Sequence, residues 1–322
     1  MNRFLRRTLV LALSAAPLLA ASQGAWPNKP IKAVVPFPAG AATDLVARAV
    51  LDRISKQLDQ PIVIDNKPGA GGTIGEAAVA SAEPDGYTIL VHSNSHTLTP
   101  YTYKNLSYNG AKDLMGVAPL AAVPMAVVTA PESGIKTLQD LVRMAKAQPG
   151  ALNYSSSGSG GATHLGAERL RLAGGFSATH IPYKGSGEAV REVMAGRVQF
   201  HVAPLSLTLQ HVQAGKLIAL ATPSSRRTSF LPNVPTTAEA GVQDANYDVW
   251  IGMFVPAKTP RAIVTRLAEE AAKAMRTPEV QERYKAMAMD EMPMGITEFA
   301  TFLTRDFEQN RKLVAATGIT AN

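Results

Sequence analysis

Short apolar runs alternate along this chain with longer stretches in which apolar residues recur every three or four positions. Residues 31–37 read as a buried strand. Over residues 43–58, Leu45, Val46, Ala49, Val50, Ile54 and Leu58 share one helical face. Residues 61–66 read as a second strand, 69–75 as a glycine-rich turn, 74–82 as a short helix and 87–92 as a third strand. This alternation predicts an α/β unit with a largely parallel sheet.

A second unit repeats the pattern. Residues 123–129, 152–156, 180–183, 198–202 and 217–221 read as strands. Residues 137–148, 163–172, 187–195 and 206–214 read as helices, the first started by Thr137 and stopped by Pro149 and Gly150. The tail is helical over 260–275, 278–288 and 297–317. The chain crosses between the units twice, leaving over 117–129 and returning over 248–255. Two crossings predict a hinge with a cleft beside it. The expected lobes are residues 25–124 with 247–322, and residues 125–246.

The start of the chain changes the compartment. Arg3, Arg6 and Arg7 precede a short apolar run over 8–21, followed by Ser22, Gln23, Gly24 and Ala25. This is the order of a cleaved export signal, so residues 1–24 are set apart from the fold and the mature chain is expected in the periplasm. The whole chain carries a formal charge of +7. Without those three arginines it is +4, and the basic residues are scattered. Nucleic-acid binders cluster theirs on one face, so that class is excluded. There is no cysteine, hence neither disulfide nor thiolate chemistry.

Two strand-to-helix loops carry the candidate chemistry. The first, over 36–44, offers Gly40 for a tight turn, small side chains at Ala39 and Ala41, and Thr43 or Asp44 as a helix cap. The second, over 155–164, offers Ser157, Gly158, Gly160, Thr163 and His164. Hydroxyls, bare N–H groups and a helix start meet there. Facing each other across a cleft, the two would favour an anion with no arginine. Ordinary capped turns would read the same way.

The segments WPNKPIKAVVPFPAGAATDLVAR, IVIDNKPGAGGTIG, AEPDGYTILV, YKNLSYNGAKDL, YSSSGSGGATHLGAERL, IPYKGSGEAV, AGKLIALA, LPNVPTTAEAG and GMFVPAKTP occur in this order from Trp26 onward. In them the chain resembles the Bug-type periplasmic receptors of tripartite tricarboxylate transporters. The resemblance implies a type II periplasmic-binding-protein fold, two α/β lobes on a two-crossing hinge. It implies that the loops from Phe37 to Asp44 and from Ser156 to His164 hold one carboxylate, largely through backbone N–H groups and ordered waters. Ser93, Asn94, Tyr183, Ala203 and Pro204 join the implied contacts. The implied ligand is a small organic acid, a dicarboxylate or an aromatic acid, and the implied partner is a membrane permease; a signalling sensor is the alternative. A monomer with no cofactor and no metal is expected. Two departures stand out. Ala41 replaces a glycine usual in the family, which is harmless if position 41 needs no positive φ. Ala203 stands where an acid is frequent, which disfavours a ligand amino group and suits a less polar acid.

Catalysis is a weaker reading. The six histidines, among them His92 and His96 in a stretch that reads as loop, show no zinc-hydrolase pairing, and the serines form no nucleophile elbow. The glycines of 69–75 miss the dinucleotide spacing. Tyr247, Trp250 and Phe254 read as hinge core.

Overall fold

A computed structural model describes residues 26–183 and 185–320. The export signal expected over residues 1–24 lies outside the described residues. The chain runs β1 (Ile31–Val35), α1 (Ala42–Leu58), β2 (Ile62–Asn66), α2 (Thr73–Ala80), β3 (Thr88–Ser93), α3 (Ser95–Thr102), α4 (Gly110–Asp113), β4 (Leu114–Val123) and β5 (Met125–Thr129). It continues α5 (Leu138–Ala147), β6 (Asn153–Ser156), α6 (Ala162–Gly174), β7 (Thr179–Pro182), α7 (Ser186–Met194), β8 (Phe200–Pro204), α8 (Leu205–Gln213) and β9 (Ile218–Ala221). It ends with β10 (Val249–Pro256), α9 (Arg261–Met275), α10 (Pro278–Ala286) and α11 (Ile296–Thr317).

Two five-stranded sheets result, ordered β2-β1-β3-β10-β4 and β7-β6-β8-β5-β9. Each has its own core. In the first, Ile31, Ala33 and Val35 of β1 meet Val46, Val50 and Ile54 of α1. In the second, Val127, Tyr154, Phe200 and Val202 meet Leu138 and Leu141 of α5. Thr137 starts α5 as a capping box: its hydroxyl accepts from the Asp140 N–H at 3.1 Å, and the Asp140 carboxylate accepts from the Thr137 N–H at 3.0 Å.

Three expectations are corrected. The sheets are mixed rather than largely parallel, because β10 runs antiparallel to both β3 and β4, and β5 antiparallel to both β8 and β9. A strand that crosses between sheets and returns enters each against its neighbours. The strand expected over 123–129 is two strands parted at Pro124, which has no N–H to give a ladder. The stretch around His96 that reads as loop is the start of α3, with Pro100 inside it.

The hinge aromatics are core. Trp250 and Phe254 are wholly buried, and Trp250 meets Phe299 of α11 edge-to-face at 5.8 Å. Between β2 and α2 the glycine-rich turn is structural. Gly72 sits at φ +102°, and a Cβ there would lie 2.7 Å from the buried His92 ring. Gly72→Ala is therefore expected to cost about 3 kcal/mol in urea unfolding, combining backbone strain with overpacking.

Candidate functional site

The register places the carboxyl edges of the two sheets. Ser93, at the end of β3, lies opposite Ile251, and Val123, at the end of β4, lies opposite Val249, where β10 begins. In the other sheet Pro204, at the end of β8, lies opposite Met125, where β5 begins. The Leu205 N–H donates to the Pro124 carbonyl at 2.8 Å. The two candidate loops follow β1 and β6, which run parallel to β3 and β8, so they leave the same carboxyl edges beside the crossing.

Helices α1 and α6 start there, and neither N-terminus carries a side-chain cap. This corrects the expectation that Thr43 or Asp44 caps α1. The N-caps are Ala41 and Gly161, and the first N–H donors inside the helices are those of Leu45 and Leu165. The preceding N–H groups, of Ala42, Thr43 and Asp44 and of Ala162, Thr163 and His164, lack intrahelical acceptors by geometry. The helix dipoles add a partial positive charge at both ends.

In the first loop Gly40 has φ +83°, which an alanine would adopt only under strain. Ala41, at φ −67°, is unstrained, so the departure at that position costs nothing. Ala39 and Gly40 are exposed, and Phe37 is half-buried with its ring edge-on to His92 at 5.5 Å. Asp44 is not free for a ligand. Its carboxylate accepts from the Gly40 N–H at 2.8 Å, the Arg48 guanidinium at 2.9 Å and the Asn66 amide at 2.9 Å. Asn66 also donates to the Phe37 carbonyl at 3.0 Å. Burial pushes the Asp44 carboxyl up, but the bonds from Arg48, Gly40 and Asn66 more than offset it and hold it below the usual range. Asp44 is the brace that shapes the loop.

The second loop is more self-satisfied than its composition suggests. The Thr163 hydroxyl accepts the Ser157 N–H at 2.8 Å and bonds the Ser157 hydroxyl at 2.9 Å. The Gly158 N–H goes to Ser156 at 3.1 Å. The Gly160 N–H goes to the Nδ1 of His164 at 3.0 Å. The amides of Ser157, Gly158 and Gly160, expected to be bare, are spent on the loop. His164 gains from this: with Nδ1 accepting, its proton sits on Nε2. Burial, then the neighbouring His180, pulls its pKa down to about 4, so the ring is neutral at pH 7. His164 stacks on His180 at 3.8 Å with 7° between the rings, and Tyr154 stacks beneath at 5.0 Å from His180. His180 in turn bonds the buried Ser156 hydroxyl at 2.6 Å. His180 was absent from the expected set; its only signal in sequence is a place on the strand next to the serine loop.

The remaining expected contacts divide. The Ser93 hydroxyl pairs with Ser95 at 3.2 Å. The Asn94 amide donates to the phenol of Tyr247 at 3.2 Å, so it ties the strand end to the hinge. The Tyr183 N–H extends the β6 ladder to the Ser156 carbonyl at 3.0 Å, with its ring half-buried. Pro204 is the half-buried N-cap of α8. Ala203 is wholly buried in the second sheet's core, so it presents nothing to a ligand. Three apolar residues reach solvent at helix starts, among them Leu45, which the spacing of α1 places on its apolar face. Leu45, Ile74 and Leu207 are 40%, 56% and 42% exposed in the first turns of α1, α2 and α8.

Behind Phe37 a buried carboxylate gathers two histidines and a tyrosine. Glu76 of α2 bonds His96 at 2.6 Å, lies 3.4 Å from the Nε2 of His92, and accepts from Tyr108 at 2.8 Å. Among the described residues no group of histidines and acids has metal-ligating geometry. No described helix is long and apolar enough to cross a membrane.

The profile described as "Tripartite tricarboxylate transporter family receptor" matches residues 46–319. The protein BugT of Bordetella pertussis is 32% identical over 306 residues, which cover 94% of this chain and 93% of BugT. Two solved Rhodopseudomonas palustris proteins share the fold. MatC, with bound malate, is 27% identical at a TM-score of 0.73, covering 89% of this chain and 99% of MatC. The other, with adipate, is 28% identical at a TM-score of 0.76, covering 92% of this chain and 99% of its own. The chain belongs to the receptor family of the tripartite tricarboxylate transporters, and its fold is that of their two-lobed solute-binding proteins.

Proposed function

We propose that this protein is a periplasmic receptor that closes on a small organic acid, a dicarboxylate or an aromatic acid, and delivers it to a tripartite tricarboxylate-type permease. The lobes are residues 25–124 with 247–322, and residues 125–246; the chain works as a monomer, without catalysis or cofactor. The observation that carries this reading is the pair of uncapped helix N-termini, α1 and α6, at carboxyl edges drawn to one crossing. Each offers unspent N–H donors and dipole charge to a carboxylate, and bonds from N–H to an anion are stronger than neutral ones. The neutral His164 adds an Nε2–H donor. The exposed Leu45, Ile74 and Leu207 suit an apolar middle to the ligand. The malate and adipate held by the two R. palustris proteins fit the same class. The Ser156–His180 pair favours no hydrolase, since that hydroxyl is wholly buried and also bonds Gly158.

The test is calorimetric titration of the ligand-stripped protein against aliphatic dicarboxylates, citrate, acidic amino acids and aromatic mono- and dicarboxylates. Micromolar or tighter binding of one class is expected; no heat with any carboxylate overturns the reading. With the acid in hand, Gly160→Pro is expected to weaken binding by at least about 100-fold. Proline cannot reach φ +77° and has no N–H for His164. Unchanged affinity would remove the second loop from the site.

A further inference from the structure

A cavity of about 420 Å³ lies along the crossing, and none of the loops described above lines it. Arg169 of α6, residues 223–228 and Asp306 of α11 line it. Asn246, Tyr247 and Asp248, ahead of β10, line it as well. The volume is within the range of small-ligand sites.

Its charges are opposed: Arg226, Arg227, Arg305, Asp290 and Glu291 also line it, with Arg227 held by Glu239 and Asp290 by Thr228 and Ser229. Arg169 donates only its Nε, to the Asp244 carbonyl at 3.2 Å. Asp306, Asp248 and Asp244 act on it through space, without a direct bond. Asp306 uses one oxygen, which accepts from Thr97 at 2.6 Å and from the Trp250 indole at 3.1 Å. Asp248 has a single backbone donor, from Ser225. The Oδ1 of Asn246 is buried with no donor. A cation without a bonded anion beside a buried acceptor without a donor is costly unless something bridges them.

We propose that this cavity is a second binding site, for a small zwitterion of the α-amino-acid type. Its carboxylate pairs with Arg169, and its ammonium goes to Asp248 and the Asn246 carbonyl oxygen. A simple acid would leave Asp248 unmet, and a simple amine would leave Arg169 unmet. The site joins both lobes and the hinge, so its occupancy is linked to closure at the front, reciprocally. Asp248 also sets a pH dependence. Burial, then Asp306, pushes its carboxyl up to about 6, against the pull of Arg169 and Arg226. The ammonium needs the carboxylate, so affinity falls as pH drops through that value.

The experiment is calorimetry of the full mature protein with L-alanine, and with propionate and ethylamine, each of which keeps one charge. Alanine is expected to bind, with propionate and ethylamine at least tenfold weaker. Arg169→Met and Asp248→Asn should each weaken alanine binding at least tenfold while still melting cooperatively. Asn246→Leu is a milder variant expected to do the same should either charge variant fail to fold. Saturation with the acid found in the titration above should shift alanine affinity through closure without displacing alanine. The proposal is overturned if alanine gives no heat at millimolar concentration, if its binding survives all three cavity variants, or if that acid displaces it competitively, which would move alanine to the front loops.

Discussion

Glu76→Gln is expected to cost about 3 kcal/mol of folding stability at pH 7, the size of losing hydrogen bonds to a buried charged group. Glu76 is wholly buried on α2, bonded to His96 at 2.6 Å and to Tyr108 at 2.8 Å. Burial pushes its carboxyl up, yet the bonds from His92 and His96 win and bring it down to about 2. A depressed carboxyl contributes stability that is complete above its unfolded value of 4.5 and fades as pH falls towards 2. A shift of that size corresponds to about 3 kcal/mol, in line with the mutational figure. Glutamine keeps the shape but gives His96 a weaker acceptor. The cluster also fixes Phe37 through His92, so ligand affinity should fall with stability. Urea unfolding of both proteins at pH 7 decides it. A loss below about 1 kcal/mol would mean the cluster is no stronger than a surface pair.

The alternation of the chain made both lobes legible, and the two loops stood out because glycine and small residues precede a helical pattern. Gly40 and Gly160 do adopt positive φ, as their residue type suggests. What each loop residue does was not legible. Asp44 looks like a cap, but its partner Asn66 lies on a strand 22 residues away, and only folding brings them together. Ser157 and Gly160 look like free donors, but Thr163 and His164 take them. A short polar loop in a partly buried place satisfies its own groups first. Glu76, His92 and His96 look unrelated for the same reason: 20 residues separate Glu76 from its shorter bond. Ala203 is a ligand-side position only as the family resemblance implies it. Its side of β8 faces the core instead, so the missing acid says less about the ligand than its absence suggested.

Acid should unfold this protein earlier than its carboxylates alone require, and His201 is the main reason. Its Nδ1 lies 2.6 Å from the Ser155 carbonyl, so that nitrogen carries the proton and donates it. Nε2 is buried without a partner. Burial brings the pKa down to about 4, against the pull of the Ser155 carbonyl. Below its ordinary value of 6.5 the unfolded chain takes up a proton that the folded ring refuses. Stability therefore falls as pH drops from 6.5 to 4, by about 3 kcal/mol for this ring alone. His92 and His164 shift in the same direction, also through burial first. Asp248 opposes them: its raised carboxyl binds a proton in the fold before the unfolded chain does, so acid relieves a cost there. A wild-type curve sums these, and a variant separates them. His201→Asn keeps a donor for Ser155 and does not titrate. The gap in urea stability between wild type and His201→Asn is expected to move by about 3 kcal/mol in favour of the variant between pH 7 and pH 4. If the gap stays constant across that window, His201 is protonated in the fold, and its Nε2 has a partner that burial alone does not reveal.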